Sequence, residues 1–132
     1  MSFYGCDSAP EKVRELYNKL LRCWSRETCA SRMRDDWSEQ NPTLGQCSIT
    51  SVLVQDLLGG EVLGVPLNGG GVHCFNELGG FRFDLTSEQF GGKALDYGSA
   101  IRLTREEIFA DPEKLSRYML LKERFSKESK NL

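Results

Sequence analysis

The sequence predicts an α+β fold in which a buried helix starting at Cys47 lies on an antiparallel sheet, with further helices towards both ends. Three observations carry this. Apolar residues recur at helical spacing from Val13 to Trp24, from Ile49 to Leu58, and again beyond Pro112. Two short strand-like runs, ending at Leu78 and beginning at Phe81, are joined only by Gly79-Gly80, which is a hairpin signal. Between the helices, glycine clusters cut the chain into pieces too short for anything but strands and turns.

The elements follow in order. Ser8-Ala9-Pro10-Glu11 has a capping-box pattern with proline in the first turn, so a first amphipathic helix is expected over about residues 9 to 24. Its buried stripe is Val13, Leu16, Tyr17, Leu20, Leu21 and Trp24, and the mixed charges opposite read as a solvated face. From Ser25 to Gly45 polar residues interrupt the pattern, with room for a short helix around Thr28 to Met33. Trp37 stands alone there, either anchoring the loop on the core or walling a substrate cleft. Asn41-Pro42 calls for an extended or turn conformation, because proline pushes the preceding residue out of the helical region.

After Gly45 and Cys47, the stripe Ile49, Val52, Leu53, Leu57 and Leu58 makes a helix buried on much of its circumference, ended by Gly59-Gly60. Glu61 to Val65 reads as a short strand. Leu67-Asn68-Gly69-Gly70-Gly71 lacks the lysine and following helix of a phosphate-binding loop, so it reads as a turn. In the hairpin, a two-residue loop pairs Leu78 with Phe81, Glu77 with Arg82, Asn76 with Phe83, Phe75 with Asp84, Cys74 with Leu85 and His73 with Thr86. One face then holds Cys74, Asn76, Leu78, Phe81, Phe83 and Leu85; the other holds His73, Phe75, Glu77, Arg82, Asp84 and Thr86. Ser87 to Gly92 leaves the strand. Lys93 to Ser99 is a loop with Leu95 and Tyr97 tucked onto the core, and Ala100 to Leu103 is an edge strand. Thr104-Arg105-Glu106-Glu107 caps a short helix through Phe109. The last helix starts at Asp111-Pro112 with Leu115, Tyr118, Met119, Leu121 and Lys122 along it and Phe125 continuing the stripe, and a polar, frayed end is expected from Ser126 to Leu132.

Composition bounds the function. With 132 residues, 39% hydrophobic and without a long apolar run, the chain fits one soluble domain, residues 1 to 132, burying roughly two thirds of its unfolded surface. A formal charge of −2 with mixed signs offers no broad basic face, so neither nucleic acid nor an anionic membrane is an expected partner. The first residues lack the basic and apolar regions of a secretory signal, and a cytoplasmic location is expected. Five cysteines without a Cys-x-x-Cys pair argue against a disulfide framework and a ribbon-type zinc site. Cys23, Cys29 and Cys74 read as small buried apolar residues. The pattern at Cys6 carries no assignment.

Cys47 reads differently. Unpaired N–H groups at a helix start stabilise an anion, which lowers a thiol's pKa and raises its thiolate fraction. His73 is the only histidine in the sequence, so it is the one imidazole base available. In the expected hairpin register Asp84 is its diagonal neighbour, with Cβ atoms about 7–8 Å apart, and could hold one ring nitrogen while the other takes the proton of Cys47. The candidate catalytic residues are therefore Cys47, His73 and Asp84. Gln40 or Asn41 could give a side-chain amide to an oxyanion hole, with the backbone N–H of Cys47 as the other donor. Trp37, Gln46, Phe75 and Asn76 are the candidates for lining a cleft.

Taken as a set, Gly45-Gln46-Cys47, His73-Cys74-Phe75-Asn76-Glu77 and Asp84-Leu85-Thr86 resemble, in order, the three motifs of the transglutaminase core within the papain-like thiol enzymes. The chain is more closely similar to the YunG-like family of small bacterial proteins, through Asn41-Pro42, Gly59-Gly60 and the Gln89-Phe90 that follows Asp84-Leu85-Thr86. The likeness runs from about Trp37 to Phe90. It implies a papain-like, transglutaminase-core-like fold and a Cys47–His73–Asp84 triad. Ser48 stands where large transglutaminases often have tryptophan, and no calcium-site signature is present, so protein cross-linking and calcium dependence do not carry over. The oxyanion glutamine of papain-type enzymes lies about a turn ahead of the cysteine, a spacing that Gln40 and Asn41 straddle.

The expected function is a thiol hydrolase or acyltransferase acting on a peptide, a protein or a small amide or ester, without cofactor or metal. The alternative is a non-catalytic module that retains the fold and binds a peptide or protein in its groove. A metal site built from Cys47, His73 and Asp84 matches a helix-start cysteine and a strand His–Asp pair less well than a triad does.

Overall fold

A computed structural model describes residues 3–91, 93 and 95–130. The fold is α+β. Four antiparallel strands, β1 (Glu61–Pro66), β2 (Val72–Leu78), β3 (Phe81–Phe83) and β4 (Ile101–Leu103), lie in the order β3-β2-β1-β4. Helices α1 (Glu11–Leu20), α2 (Cys47–Leu58), α3 (Arg105–Ile108) and α4 (Pro112–Lys130) accompany them.

α1 buries Val13, Leu16, Tyr17 and Leu20. It is shorter than its apolar stripe, and the Ser8–Glu11 capping box does not form. Ser8 closes a 3₁₀ turn, Ala9 is extended and Pro10 is the N-cap, which leaves the serine two residues upstream of the helix. Leu21 to Trp24 continue as turns, with the indole N–H of Trp24 donating to Thr50 Oγ1 at 2.9 Å inside the core. Between Ser25 and Gly45 the helical segment is a 3₁₀ turn at Ser31–Asp36, three residues later than expected.

α2 runs over the expected residues, ending at Gly59 with a φ of 83°. It packs on β2, β1 and α4. The central strand β1 requires Gly64, because a Cβ there would lie 2.5 Å from Val72 Cγ1 and 2.6 Å from Leu103 Cδ1. The hairpin has the expected register for Asn76–Phe83, Glu77–Arg82 and Leu78–Phe81, and Glu77 and Arg82 form an ion pair at 2.8 Å. The pairs Phe75–Asp84, Cys74–Leu85 and His73–Thr86 do not follow. β3 stops at Phe83, the Asp84 N–H donates instead to Tyr4 O at 3.0 Å, and the Asp84 side chain accepts from Thr86 N–H at 3.1 Å, closing the chain into a turn.

The Thr104 capping box on α3 forms as expected. In α4 the buried residues are Arg117, Tyr118, Leu121 and Phe125, while Leu115 and Met119 are exposed. The helix continues to Lys130, so the polar residues after Ser126 extend it rather than fray. The loop expected at Gly92 and Ala94, and the end expected at Asn131 and Leu132, lie outside the described residues. Among the described residues no helix is long and apolar enough to cross a membrane.

Candidate active site

Cys47 is the first residue of α2, and what holds it there is a clamp on the preceding glycine. Gly45 has a φ of 70°, and its carbonyl accepts from Ala30 N–H at 3.0 Å and from Arg117 Nη1 at 3.3 Å. Arg117, buried on α4, also donates to Thr28 O at 2.9 Å and pairs through Nε with Glu113 at 2.8 Å. The N-cap residue Gln46 provides no side-chain acceptor, so the N–H groups in the first turn of α2 have neither an intrahelical partner nor a side-chain cap.

Along its length α2 is registered on β2 by Asn76, whose Nδ2 donates to Ser51 O at 2.9 Å. Four residues back along the helix is about 6 Å, and two residues back along the strand is about 6.7 Å. The same register therefore brings Cys47 towards Cys74. His73, beside Cys74 at the beginning of β2, lines the same cleft as Cys47.

His73 is buried, and its Nε2 lies 2.6 Å from Asp84 Oδ2. That leaves Nδ1 as the other ring nitrogen. Phe90 meets the ring edge-on, with centroids 4.7 Å apart. Asp84 is also buried; its Oδ2 accepts from Tyr97 O–H at 2.7 Å, and its Oδ1 from Thr86 N–H and from Thr86 Oγ1 at 3.3 Å. Tyr97 is fixed in turn by stacking on Tyr4 at 3.8 Å and by an edge contact with Phe75 at 4.9 Å.

The electrostatics follow from these contacts. The S–H of Cys74 is the largest influence holding the Cys47 thiol well below its ordinary pKa; burial opposes it, and hydrogen bonding and charge from His73 reinforce it. On His73 the largest single effect is burial, which disfavours the imidazolium. The hydrogen bond to Asp84, the contact with Cys47 and the charges of both outweigh it and push the ring up to about 10. Cys74 moves the opposite way, raised first by the Cys47 sulfur and then by burial, with Lys114 pulling it down. These contacts thus favour the thiolate at Cys47, the imidazolium at His73 and the neutral thiol at Cys74.

Cys47 and His73 line one cleft of about 400 Å³, with Met33, Leu67, Val72 and Phe90 among its apolar walls and Lys114 and Arg117 on the α4 side. Cys47 is half-buried at this cleft. The other sequence candidates lie elsewhere. Gln40 is exposed and Asn41 half-buried in a tight turn where Asn41 N–H donates to Ser38 O at 3.1 Å, and neither lines the cleft. Trp37 donates to Pro42 O at 3.0 Å and lines a separate groove with Trp24 and Arg26, so it is a loop anchor. Gln46 is buried with its amide on Ser25 O at 3.0 Å, Phe75 packs under Tyr97, and Asn76 is occupied by Ser51. None of these four lines the cleft that holds Cys47 and His73. The turn at 38–41 folds that part of the loop away from Cys47, and the 3₁₀ segment carrying Met33 forms the wall instead.

Sequence reasoning missed Tyr97 and the role of Cys74. An aromatic hydroxyl in an irregular loop gives no periodic signal. Cys74 was within reach, because pleat alternation already put it on the helix-facing side. Among the described residues no group of three or more His, Cys, Asp or Glu side chains is arranged to hold a metal ion.

The fold and cleft define an α+β protein with a cysteine on a helix tip beside a histidine–aspartate pair. The YunG protein family model matches residues 12–130, and the chain belongs to the YunG family. It is 32% identical over 113 residues to the uncharacterised protein YunG of Bacillus subtilis (strain 168), an alignment covering 86% of this chain and 90% of that protein. No solved structure matches.

Proposed function

We propose that the protein is a cysteine-dependent hydrolase or acyltransferase of the papain-like, transglutaminase-like class, acting on an amide or ester through Cys47, His73 and Asp84. The observation that carries this is the 2.6 Å His73–Asp84 contact beside a thiol that shares its cleft with His73. The order of Gly45-Gln46-Cys47, His73 to Glu77 and Asp84-Leu85-Thr86 supports the same class. The Cys47 thiolate attacks the carbonyl carbon to form a C–S bond, and the oxyanion is met by N–H groups of the first turn of α2, including that of Cys47. Collapse breaks the C–N or C–O bond, and His73 gives its proton to the leaving group. Water or an amine then attacks the thioester and gives a proton to His73; the C–S bond breaks, releasing the acid or amide product and returning the Cys47 thiolate beside the His73 imidazolium. Asp84 keeps the ring oriented throughout. Five free thiols suit a reducing, cytoplasmic setting.

The test is acylation. Incubation with p-nitrophenyl esters should release a burst of nitrophenolate stoichiometric with protein and leave the acyl mass on the peptide containing Cys47, and Cys47→Ala should abolish both. A protein that is never acylated at Cys47, and whose Cys47 alkylates like an ordinary thiol, is a binding module instead.

A further inference from the structure

Lys114 stands in the first turn of α4, half-buried, and lines the same cleft as Cys47 and His73. Among the described residues no carboxylate pairs with it. The two acidic side chains beside it are already occupied. Glu113 serves Arg117 Nε at 2.8 Å and Ser31 N–H at 3.0 Å, and Asp111 accepts from Glu113 N–H at 3.0 Å while remaining exposed to water. Glu113 and Arg117 cancel each other. What remains at the α4 side of the cleft is the ammonium of Lys114, with Arg32 and the well-solvated Asp111 carboxylate also lining the cleft, so that side is locally positive.

An incoming anion can form a charge-assisted hydrogen bond with that ammonium, which has no carboxylate partner among the described residues. The rest of the cleft wall is apolar, with Met33, Leu67, Val72 and Phe90, which confines an anion to the Lys114 side. Because Lys114 shares a cleft of about 400 Å³ with Cys47 and His73, one small bound molecule can reach all three. We infer that Lys114 determines specificity by pairing with an anionic group of the substrate, so that the protein acts on amides or esters carrying a carboxylate or equivalent monoanion near the scissile bond. This rests on Cys47 being the nucleophile.

The test uses two near-isosteric alkylating agents that differ in charge, iodoacetate and iodoacetamide. Their rates at Cys47 in the full chain are followed by peptide mass spectrometry, and their ratio cancels changes in thiol pKa. Lys114→Met should lower the iodoacetate-to-iodoacetamide ratio about five- to tenfold, and Lys114→Glu should lower it further. Lys114→Arg should keep the ratio within about twofold of wild type, and added salt should erode the wild-type preference. Thermal melts establish that each variant is folded. Ratios unchanged in both Lys114→Met and Lys114→Glu, or a loss in Lys114→Arg as large as in Lys114→Met, would overturn the inference alone. An ordinary thiol's pH profile with iodoacetamide would overturn it together with the proposed function.

Discussion

Asp84→Asn removes one charge from the centre of the site at nearly constant shape. Asp84 is 1% exposed and receives four hydrogen bonds, from His73, Tyr97 and, twice, Thr86. An asparagine has one oxygen, so in either amide orientation two of these donors face an NH₂ group. Breaking a buried charged pair from one side costs about 3–5 kcal/mol, and the variant should lose stability of that order in urea titration. The chemistry should change as well. The wild-type ion pair exists above the lowered pKa of Cys47 and below the value of about 10 to which His73 is raised. Without Asp84, burial at His73 is opposed only by Cys47, so the His73 pKa falls and the window narrows from the alkaline side. At pH 6 an ordinary thiol of pKa about 8.5 is only about 0.3% thiolate, so a wild-type Cys47 that is mostly thiolate holds a lead of roughly 300-fold. Asp84→Asn should forfeit about tenfold or more of that lead, read as iodoacetamide alkylation of Cys47 between pH 5 and pH 10. A folded Asp84→Asn protein whose profile overlays that of wild type would show that Asp84 does not support the imidazolium.

Cys74→Ala removes the strongest influence on Cys47, so the alkylation midpoint should rise but stay below that of an ordinary thiol, because His73 remains. Tyr97→Phe deletes a 2.7 Å donor to a buried carboxylate and should cost about 1.5–3 kcal/mol by urea denaturation with the fold retained by circular dichroism. Gly45→Ala places a Cβ 2.5 Å from Cys29 Sγ and 2.9 Å from Ala30 N at a φ of 70°, and should lower stability by about 2 kcal/mol or more. Adding Cys29→Ala should recover only part of that loss, because the backbone nitrogen stays in the way; full recovery would contradict the geometry.

Local rules made the centre of the site legible in the sequence. A two-residue glycine loop dictated the hairpin register, and the register brought His73 and Asp84 to one face even though the ladder ends at Phe83 before reaching them. A glycine followed by an apolar run located Cys47 on a helix tip. The periphery was not legible, because tertiary contacts decide it. Spacing from Cys47 alone placed Gln40 and Asn41 near the sulfur, but a turn closed by Asn41 N–H to Ser38 O redirects the chain. Gln46 looked available beside the nucleophile, yet its side chain is drawn inward by Ser25 O. Tyr97 reaches Asp84 from an irregular loop, and Lys114 reaches the cleft only through the packing of α4 against α2, which no local pattern fixes.

The guanidinium of Arg117 bonds to carbonyls at positions 28 and 45, so what holds the start of α2 comes from far along the chain. During synthesis, Cys47, His73 and Asp84 leave the ribosome well before Arg117 does. A nascent chain therefore carries Cys47, His73 and Asp84 while the Gly45 carbonyl still lacks its bond from Arg117, a contact that forms only when α4 docks.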